Sequence, residues 1–325
     1  MSAIRLAYAL AAPGVGNFGD VLGPLLVAAF SGREVAPAAP ASLRRRLASI
    51  GTIAQSLALG TVDLWGTGAA GRNNPFAPQR GFQRRFATRL VAHALRGPFS
   101  ARLLAEAGFA TPGPFGDPGW LLPRLWPAPA RPPRHELGVI LHLSEVAARR
   151  PEAGPRPEFL RYQVPPGLAG AVRIISPLHR LDLTAMRAKL DEILDCRRIL
   201  STGLHGLILA EAYGRPCAAF DIHAGENGRL AVTTEAPLDH RIRDFYAGIG
   251  QKSALVLRQP RHGPTDWEAA IRFLDHEWSP VAFDASDLLA AFPAWYGRLS
   301  EGNLPAGVTE LQARLRRILP GPSPG

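Results

Sequence analysis

The side chains best suited to chemistry in this 325-residue sequence are a histidine, several arginines and a carboxylate, most of them beside glycine. His205 lies in Ser201-Thr202-Gly203-Leu204-His205-Gly206. An imidazole titrates near neutrality, so it can give or take a proton under working conditions. Arg96 opens Arg96-Gly97-Pro98-Phe99-Ser100, while Arg241 and Arg243 lie in Arg241-Ile242-Arg243-Asp244-Phe245-Tyr246-Ala247. A guanidinium fork matches carboxylate or phosphate oxygens two at a time. Asn17 and Asp20 flank Phe18-Gly19, and Gly66 and Gly68 follow Trp65 in a turn where backbone can approach a ligand closely. Such a set is suited to proton transfer on a small anion. Competing structural readings remain: Asp20 as a helix cap, Arg96 in a surface salt bridge, and Trp65 as a packed aromatic.

The elements around these residues are legible. Ile199 and Leu200 end an apolar run, Ser201 to Gly203 break it, and Leu204, Leu207, Ile208 and Glu211 follow helical spacing until Gly214 and Pro216. His205 is therefore predicted in the first turn of a helix, beyond the carboxyl end of a strand. Open parallel sheets bind ligands there, and unpaired amides attract anions. Arg96 is placed alike, after a strand over 89–95 and before a helix over 100–109. Strands are also predicted over 4–10, 47–53, 62–65, 137–143, 172–176 and 217–220. Helical patterns cover 182–195, 265–276, 286–299 and 308–319, with Pro293 splitting the third. The helix after Asp20 should turn Leu22, Leu25, Leu26 and Ala29 inward. His142, at the end of the 137–143 strand, reads as a core or rim residue. Residues 127–133, PAPARPP, suit a semi-rigid hinge. The expectation is an α/β chain with two doubly wound domains facing across a cleft, residues 1–130 and 134–325, the last helices crossing back to the first.

A hydrophobic content of 46% excludes a disordered chain, and no run reaches the apolar length of a membrane span. Cys196 and Cys217, the two cysteines, read as buried apolar residues of a reducing compartment. The net charge of +10 at pH 7 suits an anionic partner or an Arg-rich solvated surface. Nucleic acid is disfavoured, because no nucleic-acid-binding motif accompanies the charge. The basic stretches 44–46 and 79–86 are expected to be exposed, and 320–325 to be frayed.

Six segments carry a family resemblance when read in order: NFGD at 17–20, WGTG at 65–68, RGPFS at 96–100, GDPGWLLP at 116–123, STGLHGLILAEAYGRP at 201–216 and RIRDFYA at 241–247. This series resembles the polysaccharide pyruvyl transferases, most of all the succinoglycan-type ketal pyruvate transferases, and covers nearly the whole chain. It differs at Thr202-Gly203, where relatives carry more serines, and at Arg241, where they carry Lys. The resemblance implies a glycosyltransferase-B-like pair of Rossmann-like domains. It implies transfer of pyruvate from phosphoenolpyruvate to two sugar hydroxyls, giving a cyclic ketal and phosphate. His205 and Arg96 would then be catalytic, and Asn17, Asp20, Gly66, Gly68, Ser201, Gly203, Arg241 and Arg243 would bind substrate. That scheme needs no cofactor or metal. The partners implied are phosphoenolpyruvate and a glycan acceptor, lipid-linked in many relatives, so a cytoplasmic protein visiting the inner face of a membrane is expected. Two alternatives stay open: a nucleotide-sugar glycosyltransferase of similar fold, and an inactive carbohydrate-binding relative.

Overall fold

The computed structural model describes residues 2–71, 82–233 and 236–319. Residues 79–81 of the basic stretch 79–86, and residues 320–325, lie outside that set. The first part of the chain forms β1 (Ile4–Ala7), β2 (Val15–Asn17), α1 (Leu22–Ser31), β3 (Val35–Pro37), β4 (Arg46–Ala48), β5 (Gly60–Thr67), β6 (Thr88–Leu95), α2 (Pro98–Glu106) and α3 (Leu122–Leu125). The rest forms β7 (His135–Ile140), β8 (Val172–Ile175), β9 (Leu178–Arg180), α4 (Leu183–Leu194), β10 (Cys196–Ser201), α5 (Leu204–Ala212), β11 (Cys217–Asp221) and β12 (Gly228–Ala231). It ends with α6 (His240–Gly248), β13 (Ser253–Arg258), α7 (Trp267–Glu277), α8 (Ser286–Ala290) and α9 (Val308–Leu315).

The fold is mixed α/β with two largely parallel sheets. One has the order β3-β1-β4-β5-β6, and the other β12-β13-β11-β10-β7-β8, with only β12 antiparallel. The parallel strands of both sheets obey one rule. The first strand lies between the second and the third, so the strand order reverses between β1 and β4 and again between β7 and β10. The crevice beyond the carboxyl ends at such a reversal is where open sheets bind ligands. A small ribbon ties the two parts together: β2 pairs antiparallel with β9, Asn17 opposite Leu178. Gly16 permits this, because a Cβ there would lie 2.6 Å from His179 Cε1.

The largest apolar cluster runs through both parts, from Ile4, Leu25 and Trp65 to Ile140, Leu207, Phe245 and Leu315. α1 is buried on all sides rather than along one stripe, because α9 covers its outer face; Arg314 Nη1 donates to the carbonyls of Ala28 and Ala29. A helix apolar all round needs such cover. Pro293 does split the pattern after Ser286, leaving α8 and a short 3-10 turn. Trp65 is the packed aromatic, edge-on to Phe292 with its Nε1 donating to Leu288 O at 2.7 Å. Both cysteines are buried free thiols. No helix among the described residues is long and apolar enough to cross a membrane.

Candidate active site

β10 ends at Ser201, and α5 starts after Gly203, which occupies its cap position with extended backbone and no capping side chain. The loop is held tight by Ser201, whose Oγ donates to Gly203 O at 2.7 Å. Gly206 is obligatory here, since a Cβ would fall 2.2 Å from that Oγ. The first amides of α5 are thus left for a ligand, at the positive end of the helix. His205 projects from this turn onto the Cα of Gly19; any Cβ at residue 19 would lie 2.1 Å from its ring. Its Nε2 is buried and has no hydrogen-bond partner among the described residues. Burial pushes its pKa down to about 3, helped by the charges of Arg96 and Arg241 and by His142. The free site therefore holds a neutral imidazole.

His205 lines a cavity of about 220 Å³ together with Asn17, Asp20, Thr52, His142, Gly203 and Arg241. Its walls come from the loops after β1, β4, β7 and β10, so both strand-order reversals open into one space. Asp20 does not cap α1; Val21 has that place, without a side-chain bond. Instead its Oδ2 accepts from Asn17 Nδ2 at 2.7 Å. Burial raises the Asp20 pKa to about 6, against the opposing pull of the Asn17 bond and the Arg241 charge. Arg241 stands at the start of α6, its Nη2 2.6 Å from Asp239 Oδ2, while the Asp239 side chain also caps the helix by accepting from the Arg241 amide. Nη1 of Arg241 approaches His142 Nε2 at 3.3 Å. The His142 Nδ1 lies 2.8 Å from Ser144 Oγ and accepts from the Ser144 amide at 3.2 Å. Burial, then Arg241, push the His142 pKa down to about 4. Arg241 and His142 form a shared wall. Behind it lies a second cavity of about 310 Å³, also lined by Ser201, Thr202, Asp221 and Arg261.

The cavities gather Asn17, Asp20, Ser201, Gly203, His205 and Arg241. They do not include Arg96, Gly66, Gly68 or Arg243. Arg96 is fully buried. Its Nε donates to Asp244 Oδ2 at 3.0 Å and its Nη1 to Thr52 Oγ1 at 2.6 Å, so it stands one residue behind the cavity wall. Asp244 is held in turn by the Ser100 amide and hydroxyl. The two glycines serve internal packing. A Cβ on Gly66 would lie 2.2 Å from Pro118 Cδ, and one on Gly68 would lie 2.3 Å from Arg96 Nη1. Arg243 turns away to the carbonyls of Thr233 and Leu238.

The sequence marks His142 as a core or rim residue and does not single out Thr52 as a site residue. The signal for His142 is its place two residues beyond the end of β7, equivalent to that of Gly203 beyond β10, since Ile140 pairs with Ser201. Thr52 follows a three-residue strand and carries no motif, so only the fold reveals it.

Residues 64–223, about half of the chain, match the family model for polysaccharide pyruvyl transferase. No curated protein and no solved structure matches the chain. The matched segment contains the α5 turn with His205, and includes both Arg96 and His142. The chain belongs to the polysaccharide pyruvyl transferase family and is a transferase enzyme.

Proposed function

We propose that this enzyme takes pyruvate from phosphoenolpyruvate and sets it as a cyclic ketal on two hydroxyls of a sugar, in a polysaccharide or its lipid-linked precursor, as succinoglycan-type members of the family do. The observation that carries this reading is the unpartnered, buried Nε2 of His205, at the uncapped N-terminus of α5, in a cavity that also holds Arg241 and Asp20. The donor is a small anion with a phosphate, a carboxylate and a methylene carbon that must be protonated. The α5 amides and Arg241 suit its charge. Arg96 and Asp244 support Thr52 and the junction from behind.

The reaction closes in protons. C3 of the donor gains a proton, C2 becomes electrophilic, and the first sugar hydroxyl adds to C2 and loses its proton to a base. Phosphate then leaves C2 with its bridging oxygen. The second hydroxyl attacks the oxocarbenium ion so formed, aided by proximity. One hydroxyl proton ends on C3 and the other leaves with phosphate. His205 serves as base in its neutral form. Donor binding brings negative charge beside it, which raises its pKa and lets the same ring carry a proton to the donor.

The same reading takes the two sheets as Rossmann-like units in a glycosyltransferase-B-like arrangement, residues 1–130 and 134–325, and places the protein in the cytoplasm at the inner face of a membrane. The shared strand order supports the first part. The test is phosphate release from phosphoenolpyruvate with an acceptor glycan. His205→Ala and His205→Gln are expected to abolish it while keeping the thermal midpoint at neutral pH. Arg241→Ala should lose about 2–5 kcal/mol of donor binding or transition-state stabilisation, and Arg241→Lys less, since a point charge still reaches phosphate. Full turnover by a folded His205→Ala protein would exclude His205 as the proton carrier.

A further inference from the structure

The positive charge of this chain is not spread evenly. Residues 35–105 hold ten arginines against one acidic residue, Asp63, a surplus of nine out of the chain's net +10. Several of these arginines are engaged inside the fold. Arg45 pairs with the buried Asp63, Arg46 is buried and donates to the carbonyls of Ser42 and Ala58, and Arg96 holds Asp244. Arg44, Arg84, Arg85 and Arg89 are exposed, and none has an acidic partner among the described residues.

These four share one edge of the molecule. Strands β4, β5 and β6 are parallel neighbours, so their amino ends lie side by side. Leu43 and Arg44 precede β4, and a Cβ on Gly60 at the start of β5 would lie 2.5 Å from Leu43 O. Gly60 in turn pairs with Thr88 at the start of β6. Phe86 and Leu43, on this edge, are the most exposed large apolar side chains among the described residues, at 91% and 77%. The loop fixes Phe86 outward. Ala87 and Leu59 both adopt left-handed backbone, with φ of 50° and 64°. Thr88 Oγ1 ties them by donating to Phe86 O at 3.1 Å and accepting from the Leu59 amide at 2.8 Å. Two strained non-glycine residues hold in place an aromatic ring that packs on little of its own protein.

We propose that this amino edge of the first sheet docks onto an anionic lipid bilayer, with Phe86 and Leu43 entering the interface and Arg44, Arg84, Arg85 and Arg89 on the headgroup phosphates. An apolar anchor combined with a basic cluster is the pair of signals that gives lasting peripheral binding. A nucleic acid would use the arginines but would gain little from two aliphatic or aromatic side chains as exposed as Leu43 and Phe86. The cavity with His205 opens at the carboxyl edge of the same sheet. It then stands about 25 Å from the bilayer, the length of eight-residue strands at about 3.3 Å per residue. An acceptor anchored in that bilayer must reach it with an extended glycan. This last step alone rests on the function proposed above.

Flotation of the full chain with phosphatidylcholine vesicles, with and without phosphatidylglycerol, tests the docking. Binding is expected only with phosphatidylglycerol, and high salt should release it. The double variant Arg84→Glu, Arg85→Glu should weaken binding by about tenfold or more, and Phe86→Ser should weaken it as well. Phe86→Trp should move its emission to the blue on vesicles. A control of equal charge change on the second part, Arg173→Glu with Arg197→Glu, should bind like wild type. Unchanged binding by both patch variants, equal loss in the control, or binding to duplex DNA but not to vesicles would each overturn the proposal. Phosphate release with a water-soluble acceptor separates the two readings. If wild type releases phosphate but ignores vesicles, the docking and the membrane placement fall and the donor reading stands. If it binds vesicles through Phe86 but releases none, the docking stands and the donor reading falls.

Discussion

At the scale of single residues, the site is a set of titratable groups moved from their ordinary ranges in opposite directions. Asp20 is raised to about 6 by burial, and His205 is lowered to about 3 by burial and neighbouring guanidiniums. Each shift is also a statement about stability. For Asp20 the folded chain binds the proton more tightly than the unfolded chain. The stability this confers is full below about pH 4, the ordinary aspartate range, and is lost as pH rises through about 6. Asp20→Asn should therefore match wild type in denaturant titrations near pH 3.5 and exceed it above pH 6, by about 1–3 kcal/mol. A gain of equal size at both pH values would mean that ionisation of Asp20 is not its source. His205 works the other way. The unfolded chain binds its proton more tightly, so stability is intact above about pH 6.5 and falls as pH drops towards 3. His205→Gln should flatten that acid limb. The cost of keeping a buried carboxylate ionised, with only Asn17 bonded to it among the described residues, is the kind of local penalty found where a site serves chemistry rather than stability.

At the scale of elements, the glycines at the junction of α2 and α6 do the work that a cap or salt bridge does elsewhere. A Cβ on Gly97 would lie 1.8 Å from Asp244 O, and one on Gly248 would lie 2.1 Å from Arg96 O. Both obstacles are backbone, which cannot swing aside. Gly248→Ala should thus cost about 1–3 kcal/mol by overpacking, although alanine is the better helix former. Gly167→Ala, with nothing within 4 Å of its Cβ and no left-handed φ, should leave the thermal midpoint unchanged or slightly higher. If both variants melt alike, close helix contact is not what these glycines provide. The sequence made such elements easy to read where pattern and function coincide. β10, the Gly203 turn and α5 follow from an apolar run, a break and helical spacing within twenty residues. It could not show that α1 is buried on every side, because its outer cover comes from α9, nearly 290 residues later. Nor could it show the β2–β9 ribbon, whose three-residue strands lack any alternation and exist only because the two parts meet. His205, Arg241, Asn17 and Asp20 were legible from residue type and motif. The true setting of Arg96 was not, since its partner Asp244 is 148 positions away and reads locally as a helix residue.

At the scale of the whole molecule, the ion pair of Arg96 and Asp244 is a buried link between the two sheets, with side chains about 0% and 1% exposed. A buried pair gives little net stability over an apolar replacement, but breaking it from one side leaves a charge with no partner. Asp244→Ala should therefore cost about 3–5 kcal/mol, and Arg96→Ala a similar amount. The double variant Arg96→Met, Asp244→Leu should cost much less than the sum, because neither charge is then orphaned. The same set tests what Arg96 does for the proposed donor. Its Nη1 donates to Thr52 and its remaining edge faces Asp244, a setting that suits action on the cavity through position and charge. Removing Asp244 then loosens the wall, and Asp244→Ala should bind phosphoenolpyruvate more weakly than wild type in calorimetry. If Arg96 instead swings into the cavity to grip the donor, Asp244 is its competitor, and Asp244→Ala should bind the donor more tightly. Should Asp244→Ala prove too unstable to assay, Asp244→Asn keeps an acceptor for the guanidinium and the Ser100 hydroxyl while removing the charge. The sign of its change in donor affinity reads the same question: weaker binding supports a positioning role for Arg96, and tighter binding replaces it with direct contact.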